Sequence, residues 1–282
     1  MGQKIDGKAV SAAVRAQVSD EVSAMAAEGT TVTLAVVIVG DDPASRVYVN
    51  NKKRACAECG IRSEEYALGA DTTQEELMRL VDELNGRADV NGILVQLPLP
   101  KHLDEKQIIE AIDPQKDVDA FHPSNVGRIM IGDYHFLPCT PAGVMELIHS
   151  TGVSVGGADC AVIGRSNIVG KPMAMLMMHE NATVTICNSR TQNLPAICKE
   201  ADVVVVAMGK MGAVGADCLR ESQTVVDVGI HVNEKGKLCG DVKFSEAEPV
   251  VDAITPVPGG VGAVTSAVLM RHVVLAAERG RK

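Results

Sequence analysis

Ala161-Val-Ile-Gly-Arg-Ser-Asn-Ile-Val-Gly-Lys-Pro172 is the stretch that decides the fold. An apolar run ends at Gly164, and a helix is predicted to begin near Gly170-Lys-Pro172, since proline is favoured in a first helical turn. In nucleotide-binding folds, a strand, a turn and a helix in this order hold a pyrophosphate on backbone N–H groups. The stretch is neither a GxGxxG motif nor a Walker loop, because Ser166 replaces the middle glycine and Pro172 has no hydroxyl for magnesium. A tight structural turn therefore stays open as the alternative.

Short apolar runs alternate with helical stretches along the rest of the chain. Runs without polar alternation are typical of strands covered on both faces, as in a parallel sheet flanked by helices. Strands are predicted at Leu34–Val39, Gly92–Leu97, Ala161–Ile163, Thr183–Ile186, Val203–Ala207, Val225–Val228 and Val250–Ile254. Helices are predicted at Ala9–Ala27, Pro43–Glu58, Gln74–Asn85, Ala142–Ser150, Met173–His179 and Ala263–Arg279. The fold class is therefore α/β, with two α/β domains, the second a Rossmann-like, doubly wound parallel sheet.

The domain boundary is predicted between residues 113 and 141, a segment rich in proline, glycine and aspartate. Such a segment without a long periodic element is typical of a connection between two α/β units. The last helix follows a glycine-rich loop, Pro256–Gly262, and we expect it to return to the first domain. The predicted domains are residues 1–139 with 265–282, and residues 140–264, with a cleft between them.

Composition excludes several classes of protein. The chain has 282 residues, a formal net charge of −9, no tryptophan and only six other aromatic side chains, which argues against a nucleic-acid partner. The apolar runs are too short to span a membrane, and the N-terminus has neither a signal-peptide nor a myristoylation pattern. We therefore expect a cytoplasmic protein with no membrane partner. Cys56-Ala-Glu-Cys59 has CxxC spacing, but no second pair or histidine ligands follow, so no metal site is predicted.

The strand after the quoted turn indicates which cofactor binds. NAD enzymes usually carry an acidic residue near the end of this strand, where it binds the ribose hydroxyls. Here Thr183–Cys187 is followed by Asn188-Ser-Arg190, without a carboxylate. Because a guanidinium binds a phosphate through paired hydrogen bonds, Arg165, Ser189 and Arg190 favour the 2′-phosphate of NADP. The alternative is that these arginines only face solvent.

A helix of the first domain carries a Tyr-xxx-Lys pair, Tyr48 and Lys52, whose side chains share one face. Lys53 and Arg54 follow directly, and neighbouring cations together with burial would lower the pKa of Lys52 and favour a neutral amine. Such an amine can act as a base. The alternative is a solvated basic face of the helix.

Two further polar features are predicted near this lysine. Gln96 lies at the carboxyl end of a buried strand, where ligands of parallel sheets bind, and it could orient the lysine without neutralising it. Lys116-Asp-Val-Asp119 is a charged loop in which either aspartate could cap a turn. Asp119 could equally accept hydrogen bonds from the amino and ring N–H groups of a heterocycle.

Together these segments resemble the bifunctional methylenetetrahydrofolate dehydrogenase/methenyltetrahydrofolate cyclohydrolase family. The matching runs, which keep the family's order and cover most of the chain, are Tyr48–Lys52, Val95–Pro100, Lys116–Asp119, Gly164–Pro172 and Ile254–Gly262. The resemblance implies oxidation of 5,10-methylene-tetrahydrofolate with NADP⁺, then hydrolysis of the methenyl product to 10-formyl-tetrahydrofolate. It also implies a role in purine biosynthesis and a cytoplasmic homodimer. Val203–Met208 and the helix expected after it are one possible subunit contact.

The resemblance also implies a role for each candidate residue. Lys52 handles the proton of the hydrolytic step, Gln96 positions Lys52, and Tyr48 stacks on the folate ring system. Substrate contacts are also implied for Asp119, which binds the pterin, and for the loop residues Pro258, Gly259 and Gly260. The implied cofactor site comprises Gly164, Arg165, Ser166, Ser189, Arg190 and Ile230. Departures from the usual family pattern, which bear on substrate affinity and on the balance of the two activities, are Ala120, Asn188, Met211 and Ala263.

Three other functions fit parts of the pattern. A short-chain dehydrogenase also uses a Tyr-xxx-Lys pair, but places it after the dinucleotide turn, whereas Tyr48 and Lys52 precede that turn. A relative of the two-domain shikimate-type dehydrogenases has the right order but does not account for Gln96 or Pro256–Gly262. A non-catalytic NADP-binding protein would bind the cofactor without turnover.

Overall fold

Parallel strands organise both halves of the chain. In the computed structural model, which describes residues 2–281, the strands are β1 (Gln3–Lys4), β2 (Thr33–Val39), β3 (Arg62–Leu68), β4 (Gly92–Val95), β5 (Asp159–Ile163), β6 (Thr183–Cys187), β7 (Val203–Val206), β8 (Thr224–Asp227), β9 (His231–Val232), β10 (Leu238–Cys239) and β11 (Ala253–Ile254). The helices are α1 (Gly7–Ala27), α2 (Pro43–Glu58), α3 (Gln74–Gly86), α4 (Glu105–Ala111), α5 (Pro123–Ile131), α6 (Cys139–Ser150), α7 (Gly170–His179), α8 (Leu194–Glu200), α9 (Phe244–Ala247) and α10 (Val261–Gly280). The predicted α/β class is confirmed.

The described chain forms two compact units. The six-stranded unit contains the residues up to Ser11, Ile129–Asp133 and Pro138–Thr265, and the three-stranded unit contains Ala12–Arg128, Tyr134–Leu137 and the residues from Ser266 onward. The N-terminal residues differ from the predicted domains, which grouped residues 1–139. Gln3 and Lys4 form β1 and pair with β11, so they belong to the six-stranded unit.

The sheet of the six-stranded unit has the order β1-β11-β8-β7-β5-β6, and its strands are parallel. The helices α7 and α8 connect β5 to β6 and β6 to β7. β7 lies between β8 and β5, and its four valines are 0% exposed. The strand part of the predicted subunit contact Val203–Met208 is therefore not available to a partner, because Val203–Val206 are covered on both sides and both faces.

β6 is the outer strand of this sheet, which the sequence did not indicate. Continuous apolar character predicted coverage on both faces, yet Thr183, Thr185 and Ile186 are exposed. Cys187, at the carboxyl end of the strand, is buried. The end of β6 that leads to Ser189 and Arg190 is therefore anchored in the core, while the rest of the strand faces solvent.

The sheet of the three-stranded unit has the order β3-β2-β4, with parallel pairing. All seven residues of β2 are buried, and apolar side chains of α3, such as Leu77 and Val81, pack against the same core. β3 was not predicted because its sequence, Arg-Ser-Glu-Glu-Tyr-Ala-Leu, is mostly polar. Such a sequence is tolerated because β3 is the edge of the sheet and only half-buried.

Helix α2 starts from a well-defined cap and carries the candidate residues in its middle turns. The Asp42 side chain accepts a hydrogen bond from Ser45 N at 2.7 Å, and Pro43 occupies the first helical position. Both features were predicted start signals, and the helix has the predicted bounds. The cap fixes the register that places Tyr48 and Lys52 on one face.

Two more helices qualify the predictions. α5 lies within the segment 113–141, where no long periodic element was predicted. α10 is long and apolar enough to cross a membrane by length and composition, but 61% of its most apolar window is buried within the protein. That degree of burial is typical of a core helix.

Candidate active site

The Lys52 amine is held by an uncharged partner. Lys52 Nζ donates to Gln96 Oε1 at 3.0 Å, and this is its only hydrogen bond to another residue in the range 2–281. Gln96 follows directly after β4 and donates its own Nε2 to Leu97 O at 2.6 Å, which orients its oxygen toward the lysine. Tyr48 lies one helical turn before Lys52 and is 47% exposed, so its ring is free to contact a ligand. The structure thus brings the predicted lysine and glutamine together.

The cations next to Lys52 are partly compensated by a carboxylate that the sequence analysis missed. Lys53 Nζ donates to Glu65 Oε2 at 2.6 Å, and Arg46 pairs with the same carboxylate. Both partners lower the pKa of Glu65, and the hydrogen bond from Lys53 contributes most. Glu65 lies on β3, and without that strand no sequence signal placed it beside α2. The positive field around Lys52 is therefore weaker than the run of basic residues predicted.

The charged loop Lys116–Asp119 divides into structural and accessible groups. Lys116 Nζ donates to the backbone oxygens of Leu84, Asn85 and Arg87 at 3.1, 2.7 and 2.6 Å, at the carboxyl end of α3. Asp117 is buried and accepts from His122 N and from Asn125 Nδ2, both at 2.8 Å. Burial raises the pKa of Asp117. Both residues therefore stabilise the loop.

Asp119 is the carboxylate of this loop that stays accessible. It is half-buried, and within the described part of the chain no residue hydrogen-bonds to it. It lines a pocket with Val95, Leu97 and Phe121. The pocket is small and mostly apolar, and the buried Asp117 also lines it. The accessible carboxylate of Asp119 can accept hydrogen bonds from the N–H groups of a heterocycle. The next residue, the family departure Ala120, is fully buried and has φ 56°, a region that favours glycine.

In the six-stranded unit, the turn after β5 is shaped by close backbone approaches. Gly164 has φ 149°, and a Cβ on it would lie 2.3 Å from Ala207 O. A Cβ on Gly170 would lie 2.2 Å from Gly164 O. The Ser166 hydroxyl accepts from the backbone N–H groups of Val169 and Gly170 at 3.2 and 3.3 Å. The serine in place of the middle glycine thus caps the start of α7.

The candidate cofactor residues Arg165, Ser189 and Arg190 follow the carboxyl ends of two adjacent strands, β5 and β6. Ile163 and Cys187, the last residues of β5 and β6, are paired, and the three candidate side chains that follow are exposed. Asn188 Oδ1 accepts from Arg190 N at 3.0 Å and thereby closes the turn after β6. Two guanidinium groups and a hydroxyl without a carboxylate fit a phosphate.

The remaining candidates lie elsewhere in the six-stranded unit. Ile230 follows β8 and is 48% exposed. Pro258 is exposed in the loop before α10, and Gly260 is buried, where a Cβ would lie 2.7 Å from Pro256 O. The predicted substrate residues thus come from both units, since Lys52, Tyr48, Gln96 and Asp119 belong to the three-stranded unit.

The CxxC cysteines are buried parts of the core around α2. Burial raises the pKa of Cys56 to about 12 and also raises the pKa of Cys59. These thiols therefore resist ionisation, which redox and metal-binding cysteines require. Within residues 2–281, no three His, Cys, Asp or Glu side chains are grouped closely enough to hold a metal ion.

Comparisons with known proteins show which family this chain resembles. The model of the tetrahydrofolate dehydrogenase/cyclohydrolase catalytic domain matches residues 5–119, and that of the NAD(P)-binding domain matches residues 138–281. The bifunctional protein FolD of Acetivibrio thermocellus is 56% identical over 274 residues, which cover 97% of this chain and 96% of that protein. The bifunctional protein FolD of Lachnoclostridium phytofermentans is 52% identical and covers 99% of both chains.

Solved structures show the same similarity. The crystal structure of the bifunctional FolD enzyme from Campylobacter jejuni has a TM-score of 0.96, with 44% identity and 99% coverage of both chains. The Trypanosoma brucei enzyme, complexed with NADP and an inhibitor, has a TM-score of 0.95 and 36% identity, covering 100% of this chain and 99% of that one. These matches do not favour a shikimate-type dehydrogenase or a non-catalytic protein. This chain therefore belongs to the tetrahydrofolate dehydrogenase/cyclohydrolase family.

Proposed function

We propose that this protein is an NADP-dependent methylenetetrahydrofolate dehydrogenase and methenyltetrahydrofolate cyclohydrolase. The first reaction transfers a hydride from the bridging methylene carbon of 5,10-methylene-tetrahydrofolate to NADP⁺, which leaves the methenyl cation. In the second, water attacks that cation, a proton is lost, and ring opening yields 10-formyl-tetrahydrofolate. Besides the family assignment, the observation that carries this proposal is the hydrogen bond of 3.0 Å between Lys52 Nζ and Gln96 Oε1.

In this proposal, Lys52 moves the proton of the hydrolytic step. The substrate cation disfavours a protonated amine beside it, so the substrate itself promotes the neutral, basic form. Gln96 binds the amine through a neutral amide, so no carboxylate favours the protonated form of Lys52. Tyr48 stacks on the folate ring system, and Asp119 accepts hydrogen bonds from the pterin. Pro258, Gly259 and Gly260 contribute further substrate contacts.

The residues of the six-stranded unit support NADP as the cofactor. In this proposal, Arg165, Ser189 and Arg190 bind the 2′-phosphate, and the turn Gly164–Ser166 binds the pyrophosphate. Ile230 contacts the remainder of the cofactor. We further infer a cytoplasmic homodimer that serves purine biosynthesis, as the family resemblance implies.

The cofactor preference tests the first reaction. Purified protein is mixed with methylene-tetrahydrofolate and either NADP⁺ or NAD⁺, and reduced cofactor and methenyl product are followed separately by absorbance. We expect both to appear with NADP⁺ and much more slowly with NAD⁺, because no carboxylate stands ready for the ribose hydroxyls. Faster turnover with NAD⁺ would contradict the assignment of Arg165 and Ser189.

The Lys52→Met substitution tests the second reaction. We expect hydrolysis of methenyl-tetrahydrofolate to fall by roughly 100-fold or more, the usual contribution of a proton-transferring side chain. Binding of NADP⁺, measured by titration calorimetry, should persist because the cofactor residues belong to the other unit.

Lys53→Met is the matched control, since Lys53 is the next residue of the same helix but is paired with Glu65. We expect this variant to hydrolyse methenyl-tetrahydrofolate nearly as fast as the wild type. Normal hydrolysis by Lys52→Met would show that the lysine is assigned wrongly.

A further inference from the structure

A buried carboxylate ties together the segments that follow β7 and β8. Asp241 is 0% exposed, and its Oδ2 accepts from the backbone N–H groups of Met208 and Gly209 at 2.6 and 2.9 Å. Its other oxygen, Oδ1, accepts from His231 Nε2 at 2.7 Å. One side chain thus connects the segment after β7 with the hairpin of β9 and β10.

A second carboxylate supports the first. Asp227, the last residue of β8, accepts from the backbone N–H groups of Gly229, Asp241 and Val242 at 2.9, 3.0 and 2.9 Å. A Cβ on Gly240 would lie 1.9 Å from Asp227 Oδ2, and a Cβ on Gly229 would lie 2.5 Å from the carboxyl carbon of Asp241. Each carboxylate therefore approaches a glycine of the other's segment, which leaves little freedom in the relative placement of the two segments.

These segments lie at the carboxyl ends of the strands, where ligands of parallel α/β proteins bind. β8, β7 and β5 are neighbours, so Ile230, Met208 and Gly164 follow the carboxyl ends of three adjacent strands. Ala207, the residue before Met208, is the close neighbour of Gly164. The carboxylates thus brace the segment on which the cofactor turn itself rests. Neither His231 nor Asp241 takes part in the proposed reactions.

We propose that His231 and Asp241 are positioning residues that hold Met208–Gly209 and Ile230 in the arrangement that binds NADP. This inference rests on the proposed function, because it takes Ile230 and the Gly164 turn as parts of the cofactor site. His231 is the residue of this network that can be substituted with less disturbance of the core, since its side chain is 23% exposed whereas that of Asp241 is 0% exposed.

The test compares NADP⁺ binding by wild type, His231→Leu and His231→Gln in the full-length protein. Leucine cannot donate to Asp241, and we expect its Kd for NADP⁺, measured by calorimetry, to rise roughly tenfold, the scale of a hydrogen bond to a charged group. The KM for NADP⁺ should rise in parallel, with kcat nearly unchanged, as for an interaction that serves binding alone. Glutamine places an N–H group near the position of His Nε2, so it should restore binding to within about threefold.

His149→Leu is the matched control. His149 Nε2 and Glu180 Oε2 are 2.8 Å apart, a second histidine–carboxylate pair of the six-stranded unit, and Glu180 precedes the amino end of β6. We expect this variant to bind NADP⁺ as the wild type does. Hydrolysis of methenyl-tetrahydrofolate should be unchanged in all variants, because its candidate catalytic residues belong to the other unit.

The outcomes separate this inference from the function on which it rests. A wild type that neither binds nor reduces NADP⁺ contradicts the proposed function. An active wild type whose His231→Leu variant binds NADP⁺ equally well overturns the positioning role alone. If glutamine weakens binding as much as leucine, the hydrogen bond to Asp241 is not what places the segment, and the positioning role is overturned. Should the leucine variant fail to fold, His231→Ala gives the same comparison without new apolar surface.

Discussion

Lys116 shows how a single side chain helps to place Asp119, the proposed substrate-binding carboxylate three residues further along the chain. Its ammonium binds three backbone oxygens at the end of α3, where helix carbonyls lack partners within the helix. Desolvation lowers the pKa of Lys116, as expected for an ammonium drawn into the protein. With Asp117 bound to His122 and Asn125, the backbone leading to Asp119 is fixed at both ends.

We expect Lys116→Met to reduce the free energy of unfolding by about 1–2 kcal/mol, because methionine keeps the apolar stem but leaves three carbonyl groups without the ammonium. The KM for methylene-tetrahydrofolate should rise as Asp119 becomes less well placed. Urea unfolding followed by circular dichroism measures the first effect, and steady-state kinetics measures the second.

Lys106→Met provides the comparison at an exposed site of the same unit. The Lys106 side chain is 81% exposed and pairs with Glu110 at 3.6 Å. Such a pair contributes less than about 0.5 kcal/mol. Equal stability losses in the two lysine variants would show that the contacts of Lys116 with α3 are unimportant.

The strand–turn–helix element from β5 to α7 carries the proposed cofactor turn of the six-stranded unit. Its turn depends on two glycines, because a Cβ added to either one would lie within 2.3 Å of another backbone atom. Its helix depends on Ser166, which supplies an acceptor where the first N–H groups of a helix lack one. The geometry is therefore set by local atoms.

We expect Gly164→Ala to weaken NADP⁺ binding by about tenfold or more, since the new methyl group must push the turn away from Ala207 O. Hydrolysis of methenyl-tetrahydrofolate should continue. Gly156→Ala is the control, because its Cβ would meet the nearest atom, Glu180 O, at 3.4 Å. Unchanged affinity for NADP⁺ in Gly164→Ala would contradict the placement of the cofactor on this turn.

Elements with a strong local signal could be predicted from the sequence. α2 has its predicted bounds because Asp42 and Pro43 define its start, and the buried strands β2 and β7 consist of continuous apolar residues. β3 was missed because an edge strand can be polar, and Glu65 was missed with it. The pairing of Lys52 with Gln96 was anticipated, since helix periodicity and the end of β4 each gave a position.

Contacts between distant segments had no such signal. Asp117 and Asp119 stand in one short motif, and only the fold decides that the first is buried and the second accessible. Asp227 and Asp241 meet because of the short hairpin β9–β10, which carries few apolar residues. The available hint was a glycine beside each carboxylate, at Gly229 and Gly240, which marks a close backbone approach.

At the scale of the whole molecule, the two units contain buried titratable groups that respond to acid in opposite ways. His272, in the three-stranded unit, donates Nδ1 to Val118 O at 2.9 Å, and burial lowers its pKa to about 4. Asp227, in the six-stranded unit, has its pKa raised to about 6 by burial. Protonation of His272 is unfavourable in the folded state, whereas protonation of Asp227 is more favourable there than in the unfolded chain.

When the pH falls from 7 to 5, we expect the free energy of unfolding of the three-stranded unit to fall by about 2 kcal/mol because of His272. The unfolded histidine takes up a proton below about pH 6.5, and the buried one does not. Over the same interval Asp227 should stabilise the six-stranded unit by about 1 kcal/mol. Hydrogen exchange of β2 and β7 amides, corrected for the intrinsic effect of pH on exchange, reports on each unit.

His272→Asn isolates the first effect, because its amide can still donate to Val118 O but does not titrate. We expect the β2 amides of this variant to lose less protection on acidification than those of the wild type. An equal loss in both proteins would rule out His272 as the source.

The left-handed backbone at Ala120 also bears on how this sequence can drift during evolution. The position is 0% exposed and its N–H is bound to Asp117 O, so neither a larger side chain nor a different backbone conformation fits. Any residue with a Cβ carries a penalty of roughly 1–2 kcal/mol in this region, and only the smallest side chain adds no steric conflict to it. Mutational tolerance is thus confined to alanine and glycine, whose codons differ by one base, so lineages can pass between them without a defective intermediate beside Asp119, the carboxylate proposed to bind the pterin.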